Sequence, residues 1–333
     1  MSKKVSVVMP LYNEEKYIAN CIESLLLQDF PKEDMEWIFV DGMSKDATKE
    51  ILKDYKEKYP ELIHICDNPK RIVPCAMNIG IAHAQGKYIV RLDAHADYAS
   101  DYISKCVYYL ENTDADNVGG VAETKSRGFI GETIAMMLSS KFGVGNSQFR
   151  TNGKSGYVDT VPFGAFRREV FEKWGDYDER LIRNQDNEMN YRIRKNGGKI
   201  YLAEDIHLSY YCRDSVRGIV KMALQNGKWN VITMKLCPGS MGVRHFIPLA
   251  FLLSQIILPL FAVFVSGFFW KIFLLEEVLY LVCDLLFSIK AAKKISYFLL
   301  LILLFPIFHI SYGMGSLIGI GKIIGGLFRK ESR

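Results

Sequence analysis

Val5-Ser6-Val7-Val8-Met9-Pro10-Leu11-Tyr12-Asn13-Glu14 is the stretch that decides the fold. Val5 to Met9 is a β-branched run that reads as a strand, ended by Pro10. Glu14 to Gln28 then carries Tyr17, Ile18, Cys21, Ile22, Leu25 and Leu26 at helical spacing. The order repeats: Glu36 to Val40 is a strand that runs into Asp41-Gly42-Met43-Ser44-Lys45-Asp46 and a helix from Ala47 to Lys58. A third strand is expected at Leu62 to Cys66, a helix at Pro74 to Ala84, and a fourth strand at Tyr88 to Leu92, ending in Asp93. Four β-α repeats predict an α/β domain with a mainly parallel, doubly wound sheet. In such sheets ligands bind beyond the carboxyl ends of the strands. Tyr12, Asn13 and Glu14, Asp41, and Asp93 with His95 therefore converge on one crevice.

Past residue 115 the pattern becomes mixed. Strands are expected at Val118 to Thr124, Tyr157 to Val161 and Lys199 to Ala203, and helices at Arg167 to Trp174 and Asn184 to Asn196. Ser215 to Lys235 is amphipathic, with Arg217, Lys221, Lys228 and Lys235 among apolar residues, and reads as a helix lying on a bilayer surface.

The C-terminal third implies that bilayer. Phe246 to Trp270 is 25 residues without a charge, and Ile295 to Gly321 is 27 residues with none except a protonated His309. Each exceeds the ~20 apolar residues needed to cross a hydrocarbon core. Ile272 to Ile289 is a third expected span, although Glu276, Glu277 and Asp284 would be costly facing lipid. The start, Met1-Ser2-Lys3-Lys4, leads into an apolar run too short for a signal peptide, so the front half is expected in the cytoplasm of a multi-pass cell-membrane protein. Lys290, Lys293 and Lys294, and Lys322, Arg329, Lys330 and Arg333, should all be cytoplasmic by the positive-inside rule. Three complete spans cannot satisfy both clusters: either the stretch 295–321, with Pro306 and its glycines, re-enters as a broken hairpin, or another segment does not cross. Gly315 with Gly319, and Gly321 with Gly325, are spaced for close helix packing, within the chain or in a homo-oligomer.

Composition narrows the function. The 333 residues are 49% hydrophobic and 24% charged, which excludes a disordered chain. The 42 basic and 37 acidic residues leave +5, of which +4 falls after His245, so the front half lacks the basic field of a nucleic-acid-binding protein. The seven cysteines form no C-x-x-C pair, which argues against a disulfide framework or a zinc site. Gly153-Lys154-Ser155 has Gln148 where a Walker A loop needs glycine, and Pro10-Leu11-Tyr12-Asn13-Glu14 has no glycine for a dinucleotide fingerprint. Asp93-Ala94-His95, two donors at a strand end, can offer an oxygen and an imidazole to one divalent cation.

These motifs, taken in order, resemble a known family. Ser6 to Glu14, Val40 to Asp46, Asn78-Ile79-Gly80 with Ala84-Gln85-Gly86, Arg91-Leu92-Asp93-Ala94-His95-Ala96, Pro162 to Arg168 and Asn184-Gln185-Asp186-Asn187-Glu188 are similar to the family-two inverting glycosyltransferases of GT-A fold, and most to their succinoglycan or exopolysaccharide-type membrane-anchored branch. The resemblance implies a cytoplasmic glycosyltransferase domain over 1–212, an amphipathic interfacial region over 213–244 and transmembrane helices over 245–333. It implies that Pro10, Tyr12, Glu14, Asp41 and Asn78 line the pocket of a nucleotide-sugar, a UDP-sugar, with Asp41 accepting from the uracil imide. Asp93 and His95 would hold a divalent metal, Mn²⁺ or Mg²⁺, with the imidazole favouring Mn²⁺, and Asp93 would thereby contact the donor. Asp186 would be the catalytic base, although the family's preceding Glu is Gln185 here.

Gln225-Asn226-Gly227-Lys228-Trp229 resembles the Gln-x-x-Arg-Trp motif of processive synthases, which would give Gln225, Lys228 and Trp229 a role at the acceptor or in product gating. Few spans favour a single-sugar transferase over a processive synthase. Because a nucleotide-sugar is soluble, a bilayer anchor fits a lipid-linked saccharide acceptor, a polyprenyl-diphosphate type, in polysaccharide or glycoconjugate synthesis. A nucleotide-sugar-binding regulator without catalysis is a third reading, disfavoured because Asp93 and Asp186 are both present.

Overall fold

A computed structural model describes residues 3–151 and 153–331, with side chains described as far as residue 325. Arg329, Lys330 and Arg333 of the second basic cluster thus lie outside the described side chains. The chain divides into two compact units, Met1–Glu123 with Asn152–Tyr211, and Thr124–Thr151 with Cys212–Arg333. The segment 124–151, expected in the first domain from its place in the sequence, belongs instead to the helical unit, whose core its apolar helix joins.

The first unit opens with β1 (Val5–Leu11), α1 (Ile18–Leu26), β2 (Met35–Asp41), α2 (Thr48–Lys58), β3 (Ile63–Asp67), α3 (Val73–His83) and β4 (Tyr88–Arg91). It continues with β5 (Ala96–Tyr98), α4 (Tyr102–Asn112), β6 (Asn117–Lys125), and, after the inserted segment, β7 (Gly156–Tyr157), β8 (Ala165–Arg167), α7 (Glu169–Trp174), α8 (Gln185–Lys195) and β9 (Ile200–Tyr211). Among the described residues these strands form one sheet in the order β3-β2-β1-β4-β8-β6-β9-β5, with β7 on β9. β3, β2, β1 and β4 are mutually parallel, and β4 meets β8 antiparallel. This is a mixed, mainly parallel sheet of GT-A type.

β1 runs two residues further than the sequence suggests, through Pro10. The register explains why: β4 pairs with β1 only as far as Val8 opposite Arg91, and Val8 turns its carbonyl to Leu92. Pro10 has the same parity as Val8, so its missing N–H falls on the side where β4 has already ended. β7 is shorter than expected and β9 much longer, because β9 must span both β7 and β5. β5 and β8 are too short to read from period alone, whereas α4 keeps helical spacing in its buried Tyr102, Ile103, Cys106, Val107 and Leu110.

The glycine motifs are packing devices. A Cβ on Gly80 would lie 2.3 Å from Val8 Cγ1, so glycine lets α3 press onto β1. Gly86 N donates to Ser6 Oγ at 2.8 Å, and Ser6 Oγ donates to the buried Glu36 at 2.6 Å. Arg168 adds hydrogen bonds to the carbonyls of Gly86 and Ala84. This network sits at the entry ends of the strands and holds the parallel sheet in register, away from the exit ends where the polar loops gather.

The second unit contains α5 (Gly128–Leu138), α6 (Lys141–Val144), α9 (Val216–Leu236), α10 (Ile247–Phe264), α11 (Phe268–Ala291) and α12 (Ile295–Glu331). Its core joins Ile134, Met137 and Leu138 of α5 to Ile219 and Ala223 of α9 and to Leu301, Leu304, Phe305 and Phe308 of α12. α9 is a packed helix: a Cβ on its Gly227 would lie 2.0 Å from the Tyr312 carbonyl oxygen. Gly315 and Gly319 likewise abut Leu224 and Lys228 of α9. That glycine pair is therefore used inside the chain, whereas Gly321 and Gly325 have open space around them.

Two helical stretches, Val243–Phe264 and Ile295–Gly325, are long and apolar enough to cross a membrane. Large aliphatic and aromatic side chains such as Leu260, Val263 and Phe264 stand exposed on them, as expected for a lipid-facing surface. α11 exposes Leu274, Leu275, Val278 and Leu279, while its acids turn inward: Ser254 donates to Glu276, Gln255 donates to Glu277, and Ser288 donates to the buried Asp284. Of the two alternatives for 295–321, the broken hairpin is not the one found. α12 is one continuous helix through Pro306, because nothing after the proline prevents the ladder from resuming. At ~1.5 Å per residue, Lys294, just before the helix, and Lys322 within it are then separated by roughly 40 Å along its axis.

Candidate active site

The site forms where β1, β2 and β4 end. Asn13 and Met43 both adopt left-handed backbone, φ 56° and 62°, and the two loops are tied together. Asn13 N donates to Ser44 Oγ at 2.9 Å, Lys45 N donates to Asn13 Oδ1 at 2.9 Å, and Glu14 N donates to Thr48 Oγ1 at 2.7 Å. Strained backbone fixed by so many partners is characteristic of a binding loop. Pro10 is half-buried at the loop's base, Tyr12 is exposed and Glu14 is half-buried.

Asp41 is fully buried, and its carboxylate accepts from Ser44 N at 3.0 Å and from Ser44 Oγ at 2.5 Å. It braces the 42–45 turn and shows no exposed oxygen. Asn78 also works inward: its Nδ2 donates to Tyr177 O and its Oδ1 accepts from Tyr177 N, both at 2.9 Å. Both ends of that amide are thus spent on the segment leading to α8.

Asp93 and His95 lie on the turn between β4 and β5. Asp93 N donates to the Tyr98 hydroxyl at 2.8 Å, and that hydroxyl lies 3.2 Å from Asp93 O, closing the turn. Burial, and then the Asp93 charge, hold the Tyr98 phenol well above its ordinary pKa, so it stays a donor. His95 Nδ1 is 3.7 Å from Glu14 Oε1, and its ring meets Tyr210 edge-on at 5.9 Å. His95 is thereby drawn to Glu14 from a second strand end, while the Asp93 carboxylate turns to Arg91.

Asp186 stands in the first turn of α8, after Asn184, whose left-handed φ of 63° starts the helix. Its carboxylate forms an ion pair with Arg91 Nη1, while Arg91 Nη2 lies 3.5 Å from Asp93 Oδ1. One buried guanidinium at the end of β4 thus bridges the two acids. Burial by itself would weaken the Arg91 charge, but Asp186 and Asp93 outweigh it and hold the guanidinium protonated. Tyr177 is buried nearby, and burial together with Asp186 pushes its phenol up. Gln185 is also buried; a carboxylate in its place would need a partner, which explains the neutral side chain.

Arg91, Tyr98 and Tyr177 are the members of the site not singled out from the sequence. Arg91 had a signal: it is the one charge in the otherwise apolar Tyr88-Ile89-Val90-Arg91 strand. Tyr98 and Tyr177 had none, since their roles depend on a turn and on a tertiary contact.

Gln225, Lys228 and Trp229 belong to the other unit. They are half-buried on α9, with Lys228 Nζ 5.6 Å above the Trp229 ring. The middle of their motif, Gly227, is the residue on which α12 rests.

A model of the glycosyl transferase family 2 domain matches residues 6–175. The chain belongs to that family. Succinoglycan biosynthesis protein ExoA of Rhizobium meliloti is 30% identical over 246 residues, covering 73% of this family member and 74% of ExoA. A Methanococcus voltae enzyme, dolichyl N-acetyl-alpha-D-glucosaminyl phosphate 3-beta-D-2,3-diacetamido-2,3-dideoxy-beta-D-glucuronosyltransferase, is 28% identical over 318 residues, 93% of this glycosyltransferase and 95% of that enzyme. Among solved structures, mannosyltransferase PcManGT from Pyrobaculum calidifontis, in complex with GDP-Man and Mn²⁺, superposes with a TM-score of 0.65 at 18% identity, over 95% of this chain and 88% of that one. That likeness extends the shared fold beyond the sheet domain.

Proposed function

We propose that this family-2 glycosyltransferase moves a sugar, with inversion, from a UDP-sugar to a lipid-linked saccharide at the cytoplasmic face of a cell membrane. The observation that carries this reading is the Arg91 guanidinium lying between Asp93 and Asp186. It brings the carboxylate suited to the donor's diphosphate and the carboxylate suited to the acceptor's proton to two sides of one fixed cation.

Asp186 takes the proton of the acceptor hydroxyl as that oxygen bonds to the anomeric carbon, and the bond to the diphosphate breaks on the opposite face. Arg91 orients Asp186 through their ion pair. Tyr12 and Glu14 face the nucleoside, and Asp41 acts through the loop that it braces. Among the described residues no three His, Cys, Asp or Glu side chains converge as a closed metal site. Asp93 and His95 would supply one carboxylate and one imidazole to a divalent cation of the kind that binds together with substrate phosphates. Bound there, the cation would neutralise the diphosphate leaving group. The donor set of one carboxylate and one imidazole favours Mn²⁺ over Mg²⁺.

The lipid-linked acceptor is supported by the two apolar helices and by the acceptor in the name of the Methanococcus voltae relative. The nucleotide donor is supported by the GDP-Man complex of the Pyrobaculum calidifontis protein and by a Staphylococcus aureus TarS structure with UDP-GlcNAc, TM-score 0.51. A cytoplasmic sheet domain is supported by the positive-inside placement of Lys290, Lys293 and Lys294. The test is nucleoside diphosphate release in membranes from a panel of UDP-, GDP- and TDP-sugars with lipid-linked acceptors, with and without Mn²⁺. Metal-dependent release from one UDP-sugar, lowered about 10²–10⁴-fold in Asp186→Asn with donor binding intact, is expected. Full activity of Asp186→Asn would overturn the base assignment, and turnover of only GDP- or TDP-sugars would overturn the donor.

A further inference from the structure

Inside the helical unit, a cavity of about 290 Å³ lies beside the first turns of α10. Phe142, Phe251, Tyr280 and Phe308 give it aromatic walls, Lys141 and Arg244 supply positive charge, His245 adds an imidazole, and no Asp or Glu lines it. The walls are locked. Phe251 stacks on Tyr280 with ring centres 4.5 Å apart, and Phe142 meets His309 edge-on at 4.8 Å. His309 Nε2 is 2.9 Å from the Phe142 carbonyl oxygen, which can only accept, so Nε2 carries a proton. In the neutral ring, Nδ1 then accepts the Tyr280 hydroxyl proton, also at 2.9 Å. The polar groups of the wall are thus matched to one another, and the character offered to a ligand is an apolar slot with a cationic mouth.

Position gives this combination a meaning. Arg244 and His245 stand at the start of the Val243–Phe264 stretch that is long and apolar enough to span a membrane. The end of a span is the depth of lipid phosphates, and basic pockets between spanning helices bind phosphorylated head groups. The volume is at the low end of the ~300–1,000 Å³ of small-molecule sites, which admits a head and the near part of one chain and excludes a pair of chains side by side.

We infer that this cavity seats a phosphate-bearing, single-chain isoprenoid lipid, with the phosphate on Lys141, Arg244 and His245 and the first branched units of the chain against the aromatic wall. The inference rests on the lipid-linked acceptor proposed above and names the part of the chain that holds it.

The test is direct binding to the full chain in detergent micelles. The probes are farnesyl diphosphate, farnesol, inorganic diphosphate and micellar phosphatidylglycerol. Farnesyl diphosphate is expected to bind at least about tenfold more tightly than each of the other three. Arg244→Glu and Lys141→Glu should each weaken it by about tenfold or more while the thermal transition is unchanged, and Arg244→Lys should restore most of the loss. If Arg244→Glu shifts the thermal transition, Lys141→Glu decides the question. Wild-type affinity in the charge reversals, or farnesol binding as tightly as its diphosphate, overturns the phosphate seat. Full competition by phosphatidylglycerol overturns the single-chain assignment. Binding that behaves as expected without any sugar transfer removes only the transferase reading, whereas transfer to a lipid-linked acceptor with the reversals binding normally removes only this site.

Discussion

The strand-end loops of the sheet unit and the 225–229 face of α9 both carry polar and aromatic residues of functional type, but they are built in opposite ways. In the loops, strained residues such as Asn13, Met43 and Asn184 are fixed by side-chain and backbone hydrogen bonds, and charged groups are collected around a buried guanidinium. On α9, the helix is regular, and the residue at the centre of the motif is spent on the approach of α12. Strain held by surrounding structure indicates chemistry, while a glycine at a helix crossing indicates packing. The same type of motif evidence therefore has different weight in the two regions.

The largest expected effect tests the loops. Arg91→Ala removes the common cation of Asp186 and Asp93; because the Asp186 side chain is 37% exposed, water screens the charge left behind and the cost stays below that of a fully buried pair. Transfer should fall to background and the thermal transition should drop. Arg91→Lys keeps the charge but offers one nitrogen where the guanidinium offers two. It should retain most of the stability while lowering kcat by about tenfold to a hundredfold, with the donor KM little changed, since one hydrogen-bonded charge contact is lost. Wild-type kcat in Arg91→Lys would show that Arg91 is a structural ion-pair partner only.

The next effect tests the helix face. A methyl group at Gly227 has no room against Tyr312, so Gly227→Ala should destabilise by about 1–3 kcal/mol, the usual range for overpacking. Trp229→Ala, at a half-buried neighbour, should leave the thermal transition nearly in place and raise the acceptor KM if the ring contacts sugar. If Gly227→Ala is silent in calorimetry while Trp229→Ala unfolds the unit, the roles of glycine and tryptophan on this face are reversed.

Much of the sheet was legible because its signals are local. Valine-rich strands, helical spacing and the polar residue after each strand all fall within windows of a few residues, so β1 to β4 and the approach of His95 to Glu14 could be read directly. The bridge between Asp93 and Asp186 could not, because it joins residues some ninety positions apart through a side chain whose direction depends on the antiparallel β8 neighbour. The inserted segment 124–151 was misplaced for a related reason. α5 is apolar on most sides, which reads equally well as a sheet-packing helix until α12 is seen to cover it. Likewise, no periodicity could distinguish a continuous α12 from a hairpin at Pro306.

A smaller effect separates bracing from recognition at Asp41. Its carboxylate is hydrogen-bonded to Ser44 and inaccessible, so Asp41→Asn should cost a few-fold to tenfold in donor KM by loosening the turn. Ser44→Ala, which removes the bracing hydroxyl without touching the carboxylate, should reproduce part of that loss. If Asp41→Asn instead abolishes discrimination between UDP- and TDP-sugars while Ser44→Ala is neutral, the carboxylate contacts the base and the loop opens on binding.

The smallest expected effect is a pH response set beneath the same loops. Burial, followed by the charges of Asp97, Asp93 and Glu14, pushes the Cys21 thiol up to about 12 from an ordinary 9.0. The folded chain therefore holds this proton more tightly than the unfolded chain does. Where the folded state binds more protons, stability falls as pH rises, so this contribution is complete below about pH 9 and is lost between there and pH 12. Thermal transitions measured at pH 8 and pH 10 should show a downward shift that narrows in Cys21→Ala, a substitution that removes the thiol at the cost of a small cavity at both pH values. An unchanged shift in that variant would assign the alkaline loss to the buried tyrosines Tyr98 and Tyr102, whose phenols are raised by burial as well.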